Sequence, residues 1–122
     1  MKNTDIKKGG AKRIAILGAG NIGSSIARGL AASGLYRPAD ITLTRRRSEL
    51  LGAFKKEKFQ VLSDNRAAVE SAAIIILAVG PQQLENLVRE IRPSLNEDRH
   101  ILVSIVSGVS TEQIAVWLKN KT

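Results

Sequence analysis

Apolar positions along this 122-residue chain follow two alternating patterns. Short continuous apolar runs recur, and between them lie stretches whose apolar residues sit three and four apart. The runs predict strands at Lys12–Leu17, Asp40–Thr44, Phe59–Ser63, Ala72–Gly80 and His100–Gly108. Uninterrupted runs, rather than strict alternation, are the mark of strands covered on both faces. The first intervening stretch, Asn21–Ser33, carries Ile22, Ile26 and Leu30 on one helical stripe. Gly23, Ala27 and Ala31 make a second stripe of small residues, which lets a helix axis approach a sheet, and Gly34 predicts the stop. "RRRSELLGAFKKEK" predicts a second helix from near Ser48, and "DNRAAVESA" a short third one. A fourth opens at Pro81, with Leu84, Leu87, Val88, Ile91 and Leu95 on one face. Thr111 is a good cap for a last helix, Glu112–Lys119.

Strands and helices therefore alternate, and no hairpin signal interrupts them. That order predicts an α/β, doubly wound parallel sheet of the Rossmann-like kind, with about five strands in the order 3-2-1-4-5 and helices on both sides in three layers. Residues 1–11 are expected to be a disordered leader, with Gly9-Gly10 as its hinge, and 12–122 to be one domain.

Composition adds exclusions. The chain has no cysteine, which removes disulfides, thiolate metal sites and a cysteine nucleophile. No apolar run approaches a membrane span, and the polar "MKNTDIKKGGAKR" start has no signal-peptide core, so a cytoplasmic protein is expected. The net charge of +8 raises nucleic acid as a partner, but its distribution argues otherwise. Residues 1–13 and 45–58 each carry a net of +4, and the other 95 residues balance at eight basic and eight acidic side chains. Aromatic residues are 3% of the chain, too few for base-stacking platforms. No nucleic-acid partner and no membrane partner are expected.

The candidate chemistry lies after the first strand, in Gly18-Ala19-Gly20-Asn21-Ile22-Gly23. The spacing is G-x-G-x-x-G, between a buried strand and a helix, where it marks a dinucleotide site rather than a bare turn. Gly18 permits the tight turn, Gly20 leaves room for a pyrophosphate, and Gly23 lets the helix pack on the strand. The helix N-terminus offers free N–H groups to phosphates. An acid at the tip of the second strand would bind the ribose 2′-hydroxyl of NAD. Here the tip reads Thr44, Arg45, Arg46, Arg47. Arginines suit the 2′-phosphate of NADP, so NADPH is expected to be preferred over NADH. A solvated basic patch is the alternative, but three cations ahead of a helix N-terminus oppose its dipole unless an anion is bound.

Five motifs in order carry a resemblance to the N-terminal domain of the pyrroline-5-carboxylate reductase family. "LGAGNIG" stands for the family's "IGxGNMG", and "LTRR" for its strand ending in an arginine, with Arg46 at that position. Asn65 in "SDNRAAV", "AVGPQQ" (Ala78–Gln83) and "LVSIVSGVS" (Leu102–Ser110) complete the set, and the resemblance spans Arg13 to Leu118. It implies that Gly18, Ala19, Gly20, Asn21, Ile22 and Gly23 hold the pyrophosphate, and that Thr44, Arg45 and Arg46 hold the 2′-phosphate. It places Asn65 near the adenosine and Ala78, Val79, Gly80 and Pro81 near the nicotinamide ribose. The family's lysine before that proline is Gly80 here. By resemblance the activity is NADP-dependent reduction of 1-pyrroline-5-carboxylate to proline. The family continues into a helical domain that supplies the dimer and most of the substrate pocket, so this chain alone is expected to be inactive and to meet an imine substrate only with that domain. A stand-alone, non-catalytic dinucleotide-binding module and a reductase of another imine or keto substrate are the alternatives.

No catalytic side chain and no metal site are expected within the chain, because in hydride transfer the cofactor carries the chemistry. His100, the only histidine, precedes the fifth strand and so falls at the edge away from the ligand crevice. Ser104, Ser107 and Ser110 are read as local hydrogen-bonding residues, and Trp117 and Leu118 as core or domain-contact residues. The fifth strand, with Ile101, Leu102, Val103, Ile105 and Val106 and with Val109 just beyond, is expected to be an open edge. Ile114, Trp117 and Leu118 of the last helix would cover one face of it. A homo-oligomer, with this strand at or near the contact, is the expectation.

Overall fold

The computed structural model describes residues 13–45, 52–106 and 108–119. The first strand, β1, is Ile14–Leu17, and helix α1 is Asn21–Ala32. A 3₁₀ turn at Pro38–Asp40 leads into β2, Ile41–Thr44. Helix α2, Gly52–Lys56, precedes β3, Gln60–Leu62, and α3, Asn65–Glu70, precedes β4, Ile74–Leu77. Helix α4, Pro81–Ile91, precedes β5, Ile101–Ser104, and α5 is Thr111–Lys119. The strands form one parallel sheet in the order β3-β2-β1-β4-β5, as expected.

Two cores sit on the two faces of that sheet, and the run "IAIL" of β1 feeds both. Ile14 and Ile16 face α1 and α2, with Ala27, Ile41, Leu43, Phe54 and Phe59. Ala15 and Leu17 face α3, α4 and α5, with Val69, Ile75, Leu77, Leu84, Val88 and Ile114. A strand's period of two makes this division automatic. On the α1 side, Arg28 pairs with Glu57 at 3.0 Å and its guanidinium lies 4.2 Å from the centre of the Phe54 ring. Gly34, in the left-handed region at φ +80°, ends α1 where the sequence places its stop.

Several expectations are corrected or fall outside what is described; the strand expected over Ala72–Gly80, for one, is Ile74–Leu77. The start of the second helix near Ser48 and the leader 1–11 lie outside the described residues. β5 is shorter than His100–Gly108 and ends at Ser104. Its apolar residues do not act together either. Leu102, Val106 and Val109 pack on the α4–α5 core, while Ile101, Val103 and Ile105 stay 62%, 38% and 37% exposed. The cause is the same alternation: α5 covers one face of β5, and among the described residues no helix covers the other. The inward placement of Ile114, Trp117 and Leu118 is as expected.

His100 lies just before β5. Its Nδ1 accepts from the Asn96 N–H at 2.9 Å, which leaves Nε2–H to donate to the Val69 carbonyl at 3.0 Å. Both ring nitrogens are thus spent on tying a loop to α3.

Candidate functional site

A cavity of about 560 Å³ opens at the carboxyl ends of β1, β2, β3 and β4. Gly18, Gly20, Thr44, Arg45, Asn65, Ala78, Val79 and Gly80 line it. It is therefore built largely of residues that the sequence singles out, drawn from four separate strand ends.

The glycine loop is bolted to the tip of β2. The N–H groups of Gly18 and Ala19 donate to the Thr44 carbonyl at 3.1 and 2.7 Å, and Gly18 N–H also reaches the Thr44 Oγ1 at 3.2 Å. Gly18 and Gly23 do the turn and packing jobs expected of them. Gly18 has φ +85°, and a Cβ there would lie 2.3 Å from the Val79 Cγ1, so both the turn and the close approach require glycine. A Cβ on Gly23 would lie 3.2 Å from the Ile16 Cγ2 and 3.4 Å from the Ala78 Cβ, which marks how closely α1 packs on the sheet. A Cβ on Gly20 would meet nothing within 4 Å, because this residue faces the cavity. Gly20 is also the N-cap of α1, where no side chain caps the helix and no acid stands in the first turn. An uncapped N-terminus leaves N–H groups and a positive dipole end for an anion.

Thr44 is 1% exposed although it lines the cavity floor. Its hydroxyl donates to the Asn65 Oδ1 at 2.5 Å, and the Asn65 Nδ2 donates in turn to the Glu90 Oε1 at 3.3 Å. This chain of bonds links β2, α3 and α4 beneath the cavity. Asn65 can point inward because the capping of α3 falls to Asp64, whose Oδ1 accepts from the N–H groups of Arg66 and Ala67. Thr44 thus serves the architecture with its hydroxyl, and the exposed cation beside it is Arg45.

The remaining singled-out residues are placed differently. Ala19 is buried, Asn21 and Ile22 are exposed on α1, and Pro81 is the first residue of α4; none of these lines the cavity. Arg46, Arg47 and Ser107 lie outside the described residues. Gly80, which replaces the family lysine, has φ −71° and so needs no glycine for its backbone. Its turn is held by the Gln83 side chain, whose Oε1 accepts from the Gly80 N–H at 3.4 Å.

Sequence reasoning missed one wall. Ser63 and the α4 residues Gln83, Asn86, Leu87 and Glu90 also line the cavity. The sequence places Leu87 on the apolar face of this helix, and Ser63, Asn86 and Glu90 are given no role there. Their spacing puts Gln83, Asn86 and Glu90 on one face of α4 beside Leu87, but that spacing alone does not tell a cavity wall from a solvated face.

A parallel sheet with a glycine-turned crevice at the strand ends defines an α/β domain of the nucleotide-binding type. A family model described as NADP oxidoreductase, coenzyme F420-dependent, matches residues 13–108, and the chain belongs to that family. Pyrroline-5-carboxylate reductase 2 of Dictyostelium discoideum is 44% identical over 120 residues, covering 98% of this chain and 39% of the relative. The chain thus spans about two fifths of that protein's length. A solved pyrroline-5-carboxylate reductase from Coxiella burnetii superposes with a TM-score of 0.82 at 34% identity, covering 88% of this chain and 40% of that one. A Plasmodium falciparum pyrroline carboxylate reductase structure with NADP bound shares the fold, with a TM-score of 0.76 at 20% identity over 90% of this chain and 39% of that one. Among the described residues no helix is long and apolar enough to cross a membrane.

Proposed function

We propose that this chain binds NADP(H) and forms the cofactor-holding part of a reductase that converts 1-pyrroline-5-carboxylate to proline. The observation that carries the reading is the open side of Gly20, on a cavity that also takes in Arg45 and has no acid at the β2 tip. The loop Gly18–Gly23 would hold the pyrophosphate against the start of α1. Arg45, with Arg46 following it in sequence, would pair with the 2′-phosphate. Asn65 would flank the adenosine, and the turn Ala78–Pro81 the nicotinamide ribose. The dinucleotide, when bound, supplies a hydride. The chain's own part is to fix the dinucleotide's position and orientation. An imine needs a second wall to hold it over the nicotinamide, and in this reading a further, helical domain provides that wall.

The test has two arms. The isolated chain should enhance NADPH fluorescence, yet form no measurable proline from pyrroline-5-carboxylate, because positioning supplies a large share of such a rate. Turnover equal to that of an intact reductase of this family would sink the view that the substrate site lies elsewhere.

We further propose that the chain self-associates at the β5 edge. β5 pairs with β4 alone among the described residues, and its bare face presents Ile101, Val103 and Ile105. In an assembly sized by sedimentation, the β5 amides should exchange slowly with deuterium. Free exchange of those amides, or a strictly monomeric chain at millimolar concentration, counts against the contact.

A further inference from the structure

The polar wall of α4 has no part in holding phosphates, and its chemistry suits a base. The phosphate end of the cavity is set by Gly18 and Gly20, and the ribose end by Arg45 at the tip of β2. The base hangs from that same ribose. It must therefore lie at the side of the cavity formed by Ser63, Asn65 and α4, away from the start of α1.

Three α4 residues meet it there. Leu87, 5% exposed, is the apolar surface on which a flat ring can rest. Asn86 and Glu90 flank it, four residues apart and so on neighbouring turns of one helix face. Both side chains are exposed. The Glu90 side chain is held by Asn65, whose Nδ2 donates to its Oε1 at 3.3 Å. Among the described residues, the hydrogen bond to Asn65 engages only one of its two carboxylate oxygens. A carboxylate accepts only, while an amide both donates and accepts. The edge they complement has an amino group beside a ring-nitrogen acceptor. Adenine has that edge; a 6-oxopurine has a carbonyl in the amino group's place.

We infer that Asn86 and Glu90 read the purine edge of the dinucleotide, selecting a 6-amino over a 6-oxo base. The inference rests on the dinucleotide reading above. Glu90 accepts from the exocyclic amine, and the Asn86 amide donates to the adjacent ring nitrogen. A 6-oxo group would face the Glu90 carboxylate lone pair to lone pair. Asn65 acts here as a positioning residue that fixes the Glu90 side chain.

The probe is the hypoxanthine analogue of NADPH, titrated beside NADPH by fluorescence. The unaltered chain should bind NADPH about tenfold more tightly, the scale of one well-made base contact. Glu90→Gln keeps an acceptor for Asn65 but can turn an N–H toward a 6-oxo group. It should bring the two affinities within about twofold or invert their order, since it removes that one contact. Its melting temperature and its preference for NADPH over NADH should stay unchanged. Equal binding of both dinucleotides by the unaltered chain would overturn base reading and leave the proposed function standing. Discrimination that survives Glu90→Gln would overturn the role of Glu90. Binding of neither dinucleotide would sink the dinucleotide reading itself, and this inference with it.

Discussion

Gly20→Val should abolish dinucleotide binding and leave the protein folded. Gly20, at φ −84°, is outside the left-handed region, and a Cβ there meets nothing within 4 Å. The valine would project into the space proposed for the pyrophosphate. Charge-assisted hydrogen bonds are worth about 1.5–3 kcal/mol each, so losing two of them lowers affinity roughly a hundredfold or more. The comparison that gives this result its meaning is Gly18→Val in the same loop. There φ is +85° and the added Cβ would stand 2.3 Å from Val79, so that variant should lose its fold as well as its ligand. Circular dichroism and melting curves separate the two. If Gly20→Val unfolds like Gly18→Val, the glycine serves the fold and the binding argument loses its main support.

The second large effect is expected from Arg45→Ala combined with Arg46→Ala. Each arginine can contribute about 1.5–3 kcal/mol through charged hydrogen bonds to a 2′-phosphate. The pair should therefore weaken NADPH by roughly a hundredfold or more. NADH has no such phosphate, and its affinity should barely move. Calorimetric titration with both cofactors reads the difference directly. Equal losses for the two would mean that the arginines act through general charge or through folding, not through the phosphate.

Strand order was readable because it follows from local pattern. The buried run "IAIL" needs cover on both faces, and successive crossovers of one hand then leave few arrangements. The glycine loop was readable for a similar reason: each glycine answers a backbone or packing demand in its own neighbourhood. The fate of the Thr44 hydroxyl was not readable. It depends on Asn65, 21 positions away, meeting it across the sheet. Nor was the inner wall of α4. Amphipathic spacing separates apolar from polar residues, but solvent and a polar cavity look alike to it. Only the crossing of α4 over the strand ends turns Asn86 and Glu90 toward the site. The fifth strand failed differently. The nine-residue stretch is rich in apolar residues, yet β5 is only Ile101–Ser104, and Ile101, Val103 and Ile105 stay partly or largely bare.

The central claim is that this chain is built to hold NADP. It is tested most directly by titrating the unaltered chain with NADPH and NADH in parallel, at matched ionic strength, by calorimetry. Saturable one-to-one binding of NADPH is expected, with NADH at least about tenfold weaker for want of the 2′-phosphate contacts. Equal affinities, or heat from neither cofactor at millimolar concentration, would contradict it.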